Sequence, residues 1–315
     1  MQPRMKEPIL ITGSHRSGST WVGKTVAASS TVGYIREPFN LNQRPGVCAV
    51  RPTHWFTYVP GADVSAWEQA LRNTLRFQYS YAEEKAAIAS SRDVLRAARD
   101  ASTFAWHRWF SHRPLMKDPI ALLSAEWVYQ TFDATVVVLT RHPAAFISSL
   151  VRMNWDFPFS HLANQPGLTD ALLEPFEHEI RRTAERQKKG DTPPLIRQGI
   201  LLWNIFNHVI DTFWNRHPDW LIMRHEDISR APMSAFETIC DHTGVPFSDA
   251  IQRRVSETTA SSNSNRLADK QVHKLNRDSE SNVWIWKDRL TQEEIDLIRS
   301  SIPEHGAPFF REEDW

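Results

Sequence analysis

Ile9-Leu10-Ile11-Thr12-Gly13-Ser14-His15-Arg16-Ser17-Gly18-Ser19-Thr20-Trp21 reads as a buried strand, a turn and the opening of a helix, with hydroxyls and a cation gathered in the turn. Backbone N–H groups at a helix N-terminus face an incoming anion, and the helix dipole favours negative charge there. The interval from Gly13 to Gly18 is that of the nucleotide-binding loop Gly-x-x-x-x-Gly-Lys-Ser/Thr. Ser19 stands in the lysine position, however, and the cation sits three residues earlier, at Arg16. A phosphate-binding turn is expected, without the lysine that grips the β- and γ-phosphates of a nucleoside triphosphate.

Working outward, Val32–Ile35 is a second short strand that ends at Arg36-Glu37-Pro38, where Pro38 favours extended geometry at Glu37. Residues 40–62 read as irregular and 64–101 as helical. Pro114–Pro119 is a brief strand stopped by proline, Ser124–Phe132 a helix, and Thr135–Thr140 a continuous β-branched run suited to a buried parallel strand. Helices are expected over 144–152, 176–189, 196–215, 234–243 and 291–301, with a strand at 220–224. Strands alternating with helices imply an α/β fold, a parallel sheet covered by helices on both faces. No repeat or Gly/Pro/Ser linker divides the chain, so residues 1–315 are expected to form one domain, with a flexible Ser/Asn-rich flap at about 256–282.

The 315 residues carry a formal net charge of +0 and are 41% hydrophobic, which argues against whole-surface attraction to nucleic acid or anionic membrane. Cys48 and Cys240 are the only cysteines and suggest neither a disulfide framework nor a zinc site. The polar start, Met1 to Glu7, lacks an apolar leader core, and no apolar run approaches the roughly 20 residues that span a bilayer. A soluble, cytoplasmic protein with no transmembrane segment is the expectation.

Four places carry candidate chemistry. Arg16-Ser17-Gly18-Ser19-Thr20 is the phosphate turn. Arg141 directly follows the buried strand, where open parallel sheets bind ligands, and Ser149 lies two helical turns on; they serve either a second phosphate or a helix cap and an ordinary helix hydroxyl. Glu37 at a strand end is either a general base or a salt-bridge partner of Arg36 or Arg51. Lys117-Asp118 ends another strand, where lysine can neutralise a transferring anionic group and Asp118 is a second base candidate or half of a buried structural pair.

In order along the chain, these residues resemble the sulfotransferases that use 3′-phosphoadenosine-5′-phosphosulfate (PAPS). Arg16-Ser17-Gly18-Ser19-Thr20-Trp21 is similar to their 5′-phosphosulfate loop, and the Arg-Ser-Gly-Ser form followed by Glu37-Pro38 is nearest to the carbohydrate O-sulfotransferases. Arg141 and Ser149 keep the eight-residue offset of that family's 3′-phosphate clamp, and Arg277-Asp278-Ser279 sits where the family places another 3′-phosphate arginine. Arg224-His225-Glu226-Asp227-Ile228 and Trp286-Lys287-Asp288-Arg289-Leu290-Thr291 are similar to two later signatures. The resemblance implies a P-loop-like sulfotransferase fold and sulfuryl transfer from PAPS to an acceptor hydroxyl, without a metal. It implies Glu37 as base, Arg16 and Lys117 as charge-stabilising cations, and Trp21 as the adenine-stacking residue. The cytosolic branch's histidine base has no counterpart; Asp118 occupies the nearest comparable place.

A P-loop kinase or NTPase needs a lysine at Ser19 and a Mg²⁺-holding aspartate at a strand end, where Thr140-Arg141 stands instead. An inactive nucleotide-binding module would not need Arg16, Glu37 and Lys117 together. For the acceptor, the turn and the Glu37-Pro38 pair point to a saccharide or glycolipid; a small lipid or phenolic alcohol is the alternative. Trp106-His107-Arg108-Trp109-Phe110 offers either sugar platforms or an amphipathic stretch that packs its own aromatics. Nucleic acid is not an expected partner.

Overall fold

The computed structural model describes residues 6–259, 283–303, 309–310 and 314–315. Five strands, β1 (Ile9–Gly13), β2 (Val32–Arg36), β3 (Arg113–Lys117), β4 (Thr135–Thr140) and β5 (Leu221–Arg224), form one sheet in the order β2-β3-β1-β4-β5. Every pairing is parallel. The strands are near-continuous apolar runs because both faces are covered.

Alternation along the strands divides the core in two. Leu10, Met116, Val136 and Val138 join one apolar cluster, whereas Ile9, Ile11, Leu115, Val137 and Leu139 join the other. The first is closed by α2 (Val64–Leu75), α5 (Ala125–Phe132), α6 (Pro143–Arg152) and α9 (Leu195–Arg216). The second is closed by α1 (Ser19–Val26), α10 (His225–Arg230), α11 (Pro232–Thr243) and α12 (Asp249–Thr259). The architecture is therefore the α/β sheet with helices on both faces that strand–helix alternation implies.

The helical stretch expected over 64–101 is three helices: α2, α3 (Tyr81–Ala87) and α4 (Ser91–Trp109). No Gly or Pro marks the breaks; the chain turns at Phe77, whose φ is 51°, and again before Ser90, whose side chain accepts from the Asp93 N–H at 3.3 Å. Two short helices stand elsewhere, α7 (Ser160–Ala163) and α8 (Glu177–Lys188), joined by tight turns across 169–176. The first four residues of the flap expected at 256–282 are helical instead. Residues 256–259 complete α12, because Val255 and Thr258 are buried against the sheet-side core. The rest of that segment, Arg277 included, lies outside the described residues. Among the described residues, no helix is long and apolar enough to cross a membrane.

Gly13 ends β1 at φ 133°, where a Cβ would fall 2.0 Å from the Leu139 carbonyl oxygen. The next N–H, of Ser14, donates to that same oxygen at 3.1 Å. Gly13→Ala should therefore force β1 and β4 apart and cost about 3 kcal/mol or more, from overpacking and left-handed strain together. Urea unfolding measures it; an unchanged midpoint would mean that this approach is not structurally binding.

Candidate active site

From the carboxyl end of β1 the chain departs toward β2, on one side; from that of β4 it departs toward β5, on the other. Neighbouring strands whose connections diverge leave a crevice at their carboxyl ends, where open α/β sheets bind ligands. The Ser14–Gly18 turn stands on one lip of that crevice and Arg141-His142-Pro143 on the other, with Gly13 level with Leu139.

The turn is wound tightly. Arg16 takes φ 68°, and Gly18, the N-cap of α1, takes φ 90° with no room for a Cβ, which would lie 2.6 Å from His225 Nδ1. His15 is anchored beneath it among Phe146, Trp155, Phe56 and Phe206, and burial, aided by the Arg16 charge, drives its pKa down to about 3, so the ring stays neutral. The Ser14 and Ser17 hydroxyls are buried with no hydrogen-bond partner among the described residues, and α1 has no acidic residue in its first turn. Free hydroxyls and helix N–H groups around a tight turn make a cradle for an anion.

Both lips carry a cation. Arg16 Nε donates to Ser149 Oγ at 2.9 Å, and Arg141 Nη1 donates to the Arg16 carbonyl at 2.9 Å. Arg16 thus meets Arg141 and Ser149, both more than a hundred residues away in sequence. Trp203 Nε1 donates to the Arg141 carbonyl at 2.8 Å and fixes the second lip. Burial lowers the Arg141 pKa to about 10, against the pull of Glu226, so Arg141 stays a cation at neutral pH. Glu226, which sequence reasoning left unplaced inside its motif, is buried below Arg141 and accepts from the His142 N–H at 3.1 Å. Its motif was visible; its function as Arg141's countercharge needed the β4–β5 pairing.

On the far side of β1, Lys117 and Glu37 form a buried ion pair, with the Lys117 side chain 1% exposed. The lysine stem crosses α1 at Gly23, where a Cβ would sit 2.8 Å from Lys117 Cγ. Asn40 Nδ2 donates to the other Glu37 oxygen at 2.8 Å. Burial pushes the Glu37 pKa up, but the Lys117 charge and the two side-chain hydrogen bonds prevail and hold it below its ordinary value. Burial lowers the Lys117 pKa, and Glu37 opposes it. Glu37 departs from the extended geometry that Pro38 favours: its φ is 45°, held by its N–H donating to the Lys117 carbonyl at 3.0 Å and its carbonyl accepting from Asn40 N–H at 3.1 Å. Strained backbone of this kind concentrates at functional positions.

Asp118 is placed differently from Glu37. It is fully buried, and its two oxygens accept from the N–H groups of Phe39, at 2.7 Å, and Ile120, at 3.0 Å. Both oxygens are committed to backbone, which is the arrangement of a cap that ties the 37–40 turn to the end of β3.

Residues 8–249, a stretch that brackets this crevice, match the sulfotransferase family. The chain belongs to that family. Solved structures that this sulfotransferase resembles include the sulfotransferase domain of the Synechococcus PCC 7002 olefin synthase, at 17% identity over 95% of this chain and 97% of that one, with a TM-score of 0.44. The sulfotransferase domain from the curacin biosynthetic pathway is 16% identical, over 95% of this chain and 100% of that one, with a TM-score of 0.46. Mouse sulfotransferase SULT7A1 complexed with PAP is 12% identical, over 94% and 83%, with a TM-score of 0.42. No curated protein matches the sequence.

In this sulfotransferase Trp21 packs among the helices on the second apolar face. Its Nε1 donates to Thr258 Oγ1 at 3.0 Å, and its ring meets Phe236 edge-on at 5.3 Å, so α11 and α12 hold it. Ser19 is buried and Thr20 half-buried in the first turn of α1.

Burial, reinforced by the Glu37 charge, raises the Asp118 pKa to about 7, well above the roughly 3.9 of an unfolded aspartate. A carboxyl raised on folding favours the folded state least when ionised, so its contribution to stability falls as pH rises from about 4 through about 7. Asp118→Asn leaves one backbone N–H facing an amide NH₂ and should cost about 1–3 kcal/mol. Because only the wild type loses stability over that pH range, the gap between the two should narrow from pH 5 to pH 8 in urea unfolding. A gap that widens would show that the ionised carboxylate is the favoured form.

Proposed function

We propose that this sulfotransferase moves a sulfuryl group from PAPS to a hydroxyl on a saccharide or glycolipid, as a single-domain cytoplasmic enzyme. The observation that carries the reading is the meeting of Arg16, Arg141 and Ser149 across the β1–β4 crevice, beside the buried Lys117–Glu37 pair. The N–H groups and hydroxyls of Ser17, Gly18, Ser19 and Thr20, with Arg16, receive the 5′-phosphosulfate. Arg141, Ser149 and Arg277 receive the 3′-phosphate, and Trp21 borders the adenine. Two buried free cysteines, Cys48 and Cys240, suit a reducing compartment.

The acceptor oxygen attacks sulfur as the bond from sulfur to the bridging phosphate oxygen breaks, and the acceptor proton passes to Glu37. Positioned cations matter most here, because charge spreads over the sulfuryl and bridging oxygens in flight. Arg16 and Lys117 supply them. Glu37, held below the usual carboxylate range, is ionised at neutral pH and ready to take the proton. The rate should hold level from pH 8 down to the ordinary carboxylate range and fall only below it.

Adenosine 3′,5′-bisphosphate at a hundredfold excess over its Kd should stabilise the protein by about 2.7 kcal/mol, and adenosine 5′-monophosphate markedly less. Equal stabilisation would remove the 3′-phosphate assignment, and stabilisation by ATP–Mg²⁺ alone would favour a kinase. Glu37→Gln should lower transfer about 10²–10⁴-fold while binding of adenosine 3′,5′-bisphosphate stays normal. If Glu37→Gln stays active and Asp118→Asn is inactive yet folded, the base is Asp118. Labelled PAPS with saccharide, glycolipid, lipid-alcohol and phenol acceptors tests the acceptor class; transfer to phenols or simple lipid alcohols alone would overturn the saccharide assignment.

A further inference from the structure

Helix α4 is long for the little it buries: among its 19 residues only Ala97 and Phe104 are buried. It lies outside edge strand β2, where Phe104 and His107 pack on Phe77, and Phe77 in turn covers Gly33. The rest of its surface is turned outward, and that surface is ordered. Val94, Leu95 and Ala98, then Ala105, Trp106 and Trp109, are all exposed and fall on one side of the helix, in two apolar groups with exposed Ser102 between them. Leu95 is 72% exposed and Trp109 83%. Phe110 extends the stripe past the helix end, its ring tilted against Trp106 with centroids 4.3 Å apart. Beside Trp109 a cavity of about 630 Å³ opens between α4 and the Phe77–Tyr81 turn, with Tyr81 on its rim.

Charge is sorted as sharply as apolarity. Arg92, Arg96 and Arg99, at i, i+4 and i+7, run along one edge of the stripe. The Arg96 and Arg99 side chains are 60% and 72% exposed, whereas the helix's two acids, Asp93 and Asp100, are 16% and 20% exposed and turned toward the protein. Asp93 is engaged there by Arg44 Nη1 at 2.8 Å, and Asp100 accepts from Arg99 Nε at 2.9 Å. At the aromatic end, Arg108 is exposed, and exposed Lys6 donates to the Ser111 carbonyl at 2.6 Å. The whole chain is neutral, so this positive edge is a local feature.

A helix with Leu and Trp on one side, arginines on its flank and low overall hydrophobicity lies in the plane of a bilayer interface, its aromatics at headgroup depth. We propose that α4 docks this sulfotransferase on an anionic lipid surface, with the Val94–Trp109 stripe entering the headgroup–acyl boundary and the arginine edge meeting lipid phosphates. A second copy fits the charges less well: an antiparallel two-fold contact through the stripe sets each arginine edge against its counterpart. The N-terminal end of α4 is tied to Arg44, seven residues beyond Glu37. The docking does not depend on which acceptor the enzyme uses.

Flotation of the full chain with phosphatidylcholine vesicles, with and without phosphatidylglycerol, tests the proposal. The wild type should float with the anionic vesicles and less as salt rises. Trp106→Ser with Trp109→Ser should cut the bound fraction at least about tenfold, since both rings are exposed and their removal leaves the fold's melting temperature unchanged. Arg92→Gln with Arg96→Gln should weaken anionic-vesicle binding about fivefold per arginine and flatten the salt dependence. The proposal is overturned if the wild type floats with neither vesicle, including the case where sedimentation shows the stripe holding two copies together, or if the tryptophan variant floats like the wild type. Sulfuryl transfer to a water-soluble acceptor should be equal in all variants, which separates failure of docking from failure of the proposed reaction.

Discussion

Everything at the proposed reaction centre depends on how closely β1 and β4 approach at their carboxyl ends. Gly13 has no Cβ to hold Leu139 away, and the Ser14 N–H closes on the Leu139 carbonyl. The turn that follows is thereby pinned to the base of the crevice, with Arg16 carried across to the Arg141 side. A side chain at Gly13 would part the strands and separate the cations with them. The same economy recurs at Gly18, packed on His225, and at Gly23, which lets Lys117 cross α1. Three glycines thus set the spacing between the Ser14–Gly18 turn and the groups packed around it.

The charges are arranged in advance of any ligand. Arg141 has Glu226 as its countercharge, and Lys117 has Glu37. Burying either cation alone would be costly; Glu226 opposes the loss of charge at Arg141, and Glu37 opposes it at Lys117 and holds the ammonium in place. Preorganised charge that need not move during the reaction is the main means by which a protein stabilises a transferring anionic group. Arg16 and Glu37 also hold left-handed backbone, at φ 68° and 45°, on either side of the same strand end. The strain is supported by hydrogen bonds from Arg141 and Asn40 and to Lys117, so the fold holds both groups where their own preferences would not.

The sulfotransferase presents two different surfaces. Around the crevice, polar groups are buried: Lys117 and Glu37 are paired, while the Ser14 and Ser17 hydroxyls have no partner among the described residues. Along α4, apolar groups are exposed and charges are sorted to one edge. Trp106, Trp109 and Phe110 show why a sequence cluster of aromatics is ambiguous: the rings partly pack on one another, yet all three stand at the surface.

The chain's order of elements was legible from its residues alone. The β-branched run at 135–140, the strand–turn–helix at 9–21 and the strand ends at Glu37, Lys117 and Arg141 are local patterns, set by side-chain period and by proline and glycine, and they imply the parallel sheet and its ligand-binding edge. Local patterns cannot show which strands are neighbours. That β1 lies between β3 and β4, which sends Lys117 and Glu37 to one side and Arg141 and Ser149 to the other, is decided by packing two apolar faces of one sheet at once. The same holds for Asp118 and Glu37, two carboxylates at strand ends that sequence could not rank. Tertiary contacts separate them: the Phe39 N–H, brought in from beyond β2, joins the local Ile120 N–H to engage both oxygens of Asp118, while Glu37 meets Lys117 from the neighbouring strand.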